Sequence, residues 1–312
     1  MANTELIGGV DTYFLYAKES VFGTPVTANL HIGLYQDSNF TPGRNLRERR
    51  GVVTSTTSGQ EFVTKTQGTY DSQLTVNFEP INFAHLEAIM GTLSGNGSSG
   101  TPFTHTRAQK PPSFTLAENL INVEDDQVYR HSGAVCESWQ MRGGENEAPA
   151  VSMQWKIKET EILDTLLTNT ALPAGDPYNF DGWTIEAPTN TELTHIVKGW
   201  TLRIRRDLRW RYGPSVTAQS YGFGFIYYEI DLEVASRDDF YAEKYLGGAT
   251  IGAPTPFATM QIELTNGANR WVRFTYTGVY IDDRPQSIRI GEDVSETVTM
   301  SARTLTVTER TS

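Results

Sequence analysis

Apolar and polar residues alternate with period two along two separate stretches of this chain, and the stretches read alike. TYDSQLTVNFEPINFAHLEAIMG runs from Thr69 to Gly91, and IYYEIDLEVASRDDFYAEKYLGG from Ile226 to Gly248. In the first, Tyr70, Leu74, Val76 and Phe78 oppose Asp71, Gln73, Thr75, Asn77 and Glu79. In the second, Ile226, Tyr228, Ile230, Leu232 and Val234 oppose Tyr227, Glu229, Asp231 and Glu233. Alternation of this kind predicts a strand with one face on a core and one face toward water or a polar partner. Each stretch then breaks, forms one short helix and stops on glycine. Asn82 is the expected N-cap of Phe83–Met90, with Gly91 at its end. Ser236 and Asp239 form the capping box of a second helix that ends at Gly247.

The likeness extends outward. SFTLAENL, YRHSGAV and VSMQWKIK in the first half answer ATMQIELT, FTYTGVY and VTMSARTL in the second. A repeat of about 150 residues is too long for a solenoid unit and predicts two copies of one domain. The closing strand of the second copy slips phase: Val298, Met300 and Ala302 are followed by Leu305 and Val307. A bulge near Arg303–Thr304 or a change of strand partner there accommodates the slip. Glu159–Leu167 reads as a further helix, and LPAGDPYNFDGW as a linker. The expected division is a first domain over 1–168, a linker over 169–195 and a second domain over 196–312. Gly95–Pro112 reads as a loop. Long loops are expected over Thr41–Gly68 and Gly213–Gly224, and long loops within compact domains are usually functional.

Composition narrows the function. The chain has 312 residues and a formal net charge of −11, divided as −5 over 1–156 and −6 over 157–312. No basic domain stands out, which argues against a dedicated nucleic-acid binder. One cysteine, Cys136, excludes an intrachain disulfide and thiolate zinc ligation, and is read as a small buried hydrophobe. The opening MANTELIGGVD lacks the features of a secretory signal, and Phe223–Ile230 is far short of a membrane span, so a protein of the reducing cytoplasm is expected.

Candidate chemistry is sparse. His31, His85, His105, His131 and His195 have no metal-ligand spacing and no nucleophile beside them. Gly222-Phe223-Gly224 precedes a strand rather than a helix, so it is no phosphate cradle. Glu124-Asp125-Asp126 reads as a solvated turn. No catalytic, cofactor or metal residues are assigned, and no enzyme is expected. One feature resists a bland reading. Arg44, Arg47, Arg49 and Arg50 (GRNLRERRG) and Arg203, Arg205, Arg206, Arg209 and Arg211 (LRIRRDLRWRYG) stand at about the same place in the two copies. Arginine suits forked pairing with carboxylate or phosphate. A phosphate track, a solvated strand edge and pairing with acids of a neighbouring subunit are all compatible; the acidic remainder of the chain favours the last over the first. Arg44, Arg47, Arg49, Arg50, Arg203, Arg205, Arg209 and Arg211 are therefore candidate inter-subunit contacts.

The order of these elements carries a family likeness. YAKESVFGTPV (Tyr16–Val26), PSFTLAENL followed by YRHSGAVCESWQMRG, and the second-half RDDFYAEKYLGG followed by FTYTGVYIDD together resemble the tail tube (major tail) proteins of long, flexible-tailed phages. The resemblance implies a mainly β fold of two tandem β-sandwich or half-barrel domains, each with one flanking α-helix. It implies rings of six domains, stacked head to tail into a hollow tube whose inner sheets join into a barrel of about 24 strands. Asp71, Gln73, Thr75, Asn77, Glu229, Asp231 and Glu233 are the candidate polar lumen face, on which acidic and neutral groups keep passing DNA from sticking. A long loop in such a domain bridges rings, a role given to the two arginine-flanked loops.

With two domains per chain, three chains complete a ring of pseudo-sixfold symmetry. The partners implied are further copies of the chain, a tape measure protein, tail terminator and distal tail or baseplate proteins, and DNA only in transit. The location implied is the virion tail, assembled in the host cytoplasm, with no membrane insertion. Another tail ring component or a host-surface-binding β-sandwich is the alternative.

Overall fold

A computed structural model of the chain describes residues 12–50, 62–121, 126–168, 172–173, 175–179, 182–188, 196–235, 253, 255–267, 269–283, 286–287 and 295–311. The fold is mainly β, as expected. The first-half strands are β1 (Thr12–Lys18), β2 (Leu30–His31), β3 (Leu34–Thr41), β4 (Arg44–Arg50), β5 (Phe62–Tyr70) and β6 (Ser72–Glu79). A 3-10 turn, Ala84–Leu86, runs into α1 (Glu87–Met90), followed by β7 (Gly91–Ser94), β8 (Phe103–Arg107), β9 (Phe114–Leu120), β10 (Gln127–Gly144), β11 (Glu147–Ile157) and β12 (Glu159–Leu163). The rest are β13 (Trp183–Glu186), β14 (Val197–Arg211), β15 (Ser220–Ala235), β16 (Phe257–Thr265), β17 (Trp271–Asp283), β18 (Gln286–Ser287) and β19 (Ser295–Arg310).

The pairings are antiparallel. One sheet runs β2–β1–β9–β10–β12. The other runs β3–β6–β11–β10–β14–β15–β19–β17–β16–β13, with β10 shared between them. The alternation works as expected. Ser72–Glu79 buries every second residue, with Leu74, Val76 and Phe78 fully enclosed. One hydrophobic cluster draws on both halves, from Phe14, Trp139 and Trp155 to Ile230, Phe274 and Val307. Asn82 Oδ1 accepts the amide of Ala84 at 3.2 Å, and α1 ends on Gly91 in the left-handed region (φ 97°), where a side chain would be strained.

Several expectations change. Glu159–Leu163 is a strand, not a helix: it pairs with Val128–Ser132 of β10, and that open ladder overrides helical preference. Gly95–Pro112 contains β8, which pairs with β7 and with β19. The stretch 169–195 contains β13, which pairs with β16 as β1 pairs with β9. The flanks of Thr41–Gly68 are strands β4 and β5 of one hairpin; the GVVTSTTSGQ part lies outside the described residues. Gly213–Gly224 is the turn and return strand of the β14–β15 hairpin. The expected helix at 236–247, His195 and Glu124-Asp125 also lie outside the described residues.

The two halves match down to their irregularities. Gly133 (φ 61°) in β10 and Gly278 (φ 62°) in β17 are both left-handed, and a Cβ on either would collide with a basic side chain of the next strand, Lys158 or Arg303. β10 shifts register on β11 between Cys136 and Ser138; β17 shifts on β19 between Ile281 and Asp283. β3 shifts on β6 between Tyr35 and Asp37; β14 shifts on β15 between Val197 and Gly199. The hairpins shift again between Arg44 and Leu46 and between Arg206 and Leu208. Bulges re-aim a strand at one fixed place, so matched bulges fix the correspondence. β3 and β4 together equal β14, β5 and β6 equal β15, β10 equals β17 with β18, and β11 and β12 equal β19. The phase slip in β19 is a change of partner: β15 pairs with Ser295–Ala302 and β8 with Val307–Glu309.

Gly133→Val and Gly278→Val should each cost about 2 kcal/mol or more, from the left-handed backbone alone. Gly100→Val, where a Cβ meets nothing within 4 Å, should be near neutral. Denaturant midpoints check this, and equal tolerance at all three positions would contradict it.

Candidate functional site: a polar sheet face and two arginine hairpins

The long sheet has two unlike sides because its strands alternate. Leu74, Met153, Trp139, Leu202, Ile230 and Met300 point into the core. Opposite them lie Gln73, Thr75 and Asn77 (β6), Ser152, Gln154 and Lys156 (β11), Ser138, Gln140 and Arg142 (β10), Thr201, Arg203 and Arg205 (β14), Glu229, Asp231 and Glu233 (β15) and Thr297, Thr299 and Ser301 (β19), half-buried or exposed. Cross-strand register sets these side by side: Thr75 with Gln154, Ser138 with Arg205, Gln140 with Arg203, Arg203 with Glu229, Asp231 with Thr299. Of the seven candidate lumen residues, six share this face. Asp71 instead sits in the break between β5 and β6, where its amide donates to Gly43 O at 2.8 Å.

A ladder of side-chain bonds crosses the face. Gln154 Nε2 donates to Gln73 Oε1 and Ser138 Oγ to Gln154 Oε1, each at 3.4 Å. Arg203 Nε donates to Gln140 Oε1 at 3.2 Å, its guanidinium pairs with Asp231, and Thr299 Oγ1 donates to the other Asp231 oxygen at 2.9 Å. Arg205 pairs with Glu229, and Lys156 with Glu137 at 3.6 Å. These pairs are partly exposed and individually weak, but they set the character of the wall. Two of its expected acids, Glu229 and Asp231, are neutralised by arginines of the same chain. Arg203 and Arg205 therefore have partners across the adjoining strands of this face.

The remaining arginines separate by place. Arg209 and Arg211 are exposed on the outer part of the β14–β15 hairpin, and Arg44 is exposed at the base of β4. Arg47, Arg49 and Arg50 lie on β4, paired through backbone with Thr66, Thr64 and Phe62; their side chains lie outside the described residues. Register equates Arg44 with Arg206, Arg47 with Arg209 and Arg49 with Arg211.

Arg206 is the one that the selection of candidate contacts missed. It is 4% exposed, and its Nη2 donates to Met90 O at 3.0 Å and Ala108 O at 3.1 Å. It thereby ties the second-copy hairpin to the C-terminal end of the first-copy helix, where a cation is favoured. Burial pulls its pKa down to about 10. The signal was available: alternation puts Arg206 on the side of Leu202 and Ile204, and a buried charge needs partners. Around it the hairpin docks on the first copy. Leu208 and Tyr221 pack on Val135, Phe22 lies 4.8 Å from the Tyr221 ring, and Tyr221 Oη donates to Pro111 O at 3.0 Å. The turn reaches further: the Tyr70 amide donates to Val216 O at 2.8 Å, and Tyr212 Oη to Tyr70 O at 3.0 Å.

Several polar groups are buried: His131 lies between Thr160 Oγ1 at 2.9 Å and Glu118 Oε2 at 3.4 Å. His85 is enclosed by Phe78, Phe83 and Trp139. Burial first, then neighbouring His105, depresses its pKa to about 3; burial depresses His105 to about 4. Glu309 accepts the Phe83 amide at 3.0 Å, and burial raises it to about 7. Glu19 accepts from Ser113, Thr115 and the amides of Gly23 and Gly133, fixing the turn after β1. Cys136 is fully buried, and burial raises its thiol pKa. Among the described residues no three His, Cys, Asp or Glu are grouped to hold a metal, and no helix is long and apolar enough to cross a membrane.

The sheet face and its bonds are one observation, and the sequence comparison is another. The profile of the phage tail tube protein family matches residues 9–302. The chain belongs to the phage tail tube protein family, whose members are structural components of the virion tail. Among curated proteins, no relative matches the sequence.

Two outcomes follow for the buried groups. Arg206→Leu removes the guanidinium bonds to Met90 O, which still accepts the Ala108 amide at 2.7 Å, and to Ala108 O, and should destabilise the isolated chain by about 1.5–3 kcal/mol in urea titration; an unchanged midpoint contradicts the tie. In acid, His85 and His105 stay neutral when folded but take up protons when unfolded, so their stabilisation is present above pH 6.5 and lost as pH falls toward 4 and 3. Glu309, protonated below about pH 7 when folded, acts in the opposite direction until its unfolded form protonates near 4.5. The three together give a net loss that grows as pH falls below 6.5 and reaches about 1.4 kcal/mol per pH unit near pH 5. Glu309→Gln should steepen that slope to nearly twice the value, and denaturation at pH 5.5 and 4.5 measures it.

Proposed function

We propose that three copies of this chain form one ring of the tail tube, each supplying two of six quasi-equivalent domains, and that rings stack head to tail around a channel for DNA. The observation that carries the reading is the pair of sheet units with matched bulges, joined edge to edge through β10 and β14 so that one polar face continues across both. A wet face that spans so many strands, with its charges paired to one another, suits the wall of a channel: paired cations bind phosphate weakly, because few counterions are freed. Strand closure around the ring also removes the exposed edges that an open sheet leaves.

On this reading the two domains meet within 169–195, and the polar residues of β6 and β15 line the lumen. The β4–β5 hairpin, and Arg209 and Arg211 on the exposed outer part of the β14–β15 hairpin, face neighbouring subunits. Further partners are the tape measure protein inside the tube and the terminator and distal tail or baseplate proteins at its ends, with assembly in the host cytoplasm. Head-to-tail stacking is heterologous, so growth is open-ended.

Electron microscopy of the purified protein at high concentration should show tubes, and native mass spectrometry of rings released from them should show three chains; six chains per ring would overturn the stoichiometry. Arg209→Glu with Arg211→Glu should suppress tube growth while leaving the denaturation midpoint of the free chain within about 0.5 kcal/mol, as for surface substitutions. Normal tubes from that variant would remove these arginines from assembly.

A further inference from the structure

We infer that the junction between neighbouring chains is a second copy of the junction inside the chain, closed by the free edge of β3 on the β17–β18 edge of the next copy. The inference rests on the ring reading above and specifies which residues meet.

The chain carries its own template. Inside it, β10 of the first copy pairs with β14 of the second: Met141 opposes Leu202 and Arg142 opposes Thr201. The counterpart of β10 is β17 with β18, which continue one register along β19: Asp283 opposes Thr299 and Gln286 opposes Glu296, as Ser138 opposes Gln154 and Met141 opposes Val151. The counterpart of β14 is β3. Among the described residues, β3 pairs only with β6, and β18 only with β19. Each copy thus has one edge in use and its equivalent open. An open edge of paired-strand geometry recruits another strand unless it is blocked. Transferring the β10–β14 register sets Gln286 opposite Phe40 and Ser287 opposite Asn39 of the next chain.

Burial supports the transfer, because residues covered at the inner junction are exposed at their counterparts. Arg206 is 4% exposed, whereas Arg44 is exposed. Val307 is fully buried beneath its partner β8, whereas its counterpart Ile162, on β12, is 54% exposed. Leu34 and half-buried Phe40 lie on β3 itself. On the complementary side, the Tyr70 backbone receives the β14–β15 turn, whereas the equivalent backbone at Ile226 lies between Phe225 and Tyr227, exposed by 73% and 41%. The first-copy hairpin, with Leu46 at the register position of Leu208, is the segment that would cover them. The occupant of each exposed set is thus another copy of this chain.

The test is disulfide trapping. Residues directly opposed on antiparallel strands have Cα atoms about 4.5–5.5 Å apart, within the range a disulfide spans. Asn39→Cys with Ser287→Cys should therefore link chains in oxidised tubes; Leu34→Cys with Ser287→Cys, several residues out of register, should not. The only native cysteine, Cys136, is fully buried. Non-reducing gels of the linked tubes should show a ladder ending at three chains. A ladder ending at six keeps the edge pairing and overturns the three-chain ring. No link in assembled tubes, or equal linking of the shifted pair, overturns the pairing. If the double variant does not assemble, amide exchange on unsubstituted protein decides: residues 34–41 should gain protection on assembly, and unchanged exchange there overturns the inference.

Discussion

Backbone hydrogen bonding at sheet edges is the constraint on which the rest of this structure depends. A strand that ends a sheet leaves a row of donors and acceptors without partners. Within the chain, one such row is satisfied when β10 accepts β14, and that single pairing aligns the two copies, continues their polar face and brings their cores into one cluster. Phe14 and Val307, at opposite ends of the sequence, belong to the same apolar body because the sheet carries them there.

Polar satisfaction follows the same logic. Arg206 is buried because the hairpin that carries it passes over the end of α1, where Met90 O and the neighbouring Ala108 O accept its hydrogen bonds. Glu19, by contrast, is a buried carboxylate held by hydroxyls and amides around a tight turn. The wall of the long sheet needs no burial to be ordered: glutamines, threonines and ion pairs bridge adjoining strands at their natural spacing.

Much was legible in the residues. Period-two alternation located β6, β11, β15 and β19 and their inward faces, and the glycine stop of α1 was read correctly. The phase slip at Arg303 announced the change of partner that β19 makes. What failed did so where partners far along the chain decide. Glu159–Leu163 has little intrinsic preference against helix, yet an open ladder on β10 takes it as β12. Trp183–Glu186 sits among prolines and glycines, yet it is the first strand of the second sheet unit because β16 offers an edge.

The sequence by itself determined that the chain is a mainly β protein with two like halves, because alternation, punctuation and repetition are local properties that survive without coordinates. Only the tertiary structure decided which arginines are committed. Arg203 and Arg205 find Asp231 and Glu229 across a strand pair, Arg206 finds the carbonyls of Met90 and Ala108, and Arg44, their neighbour in pattern, is left facing out. Residue type fixes what a guanidinium can bind, whereas register and bulge position fix what lies within its reach.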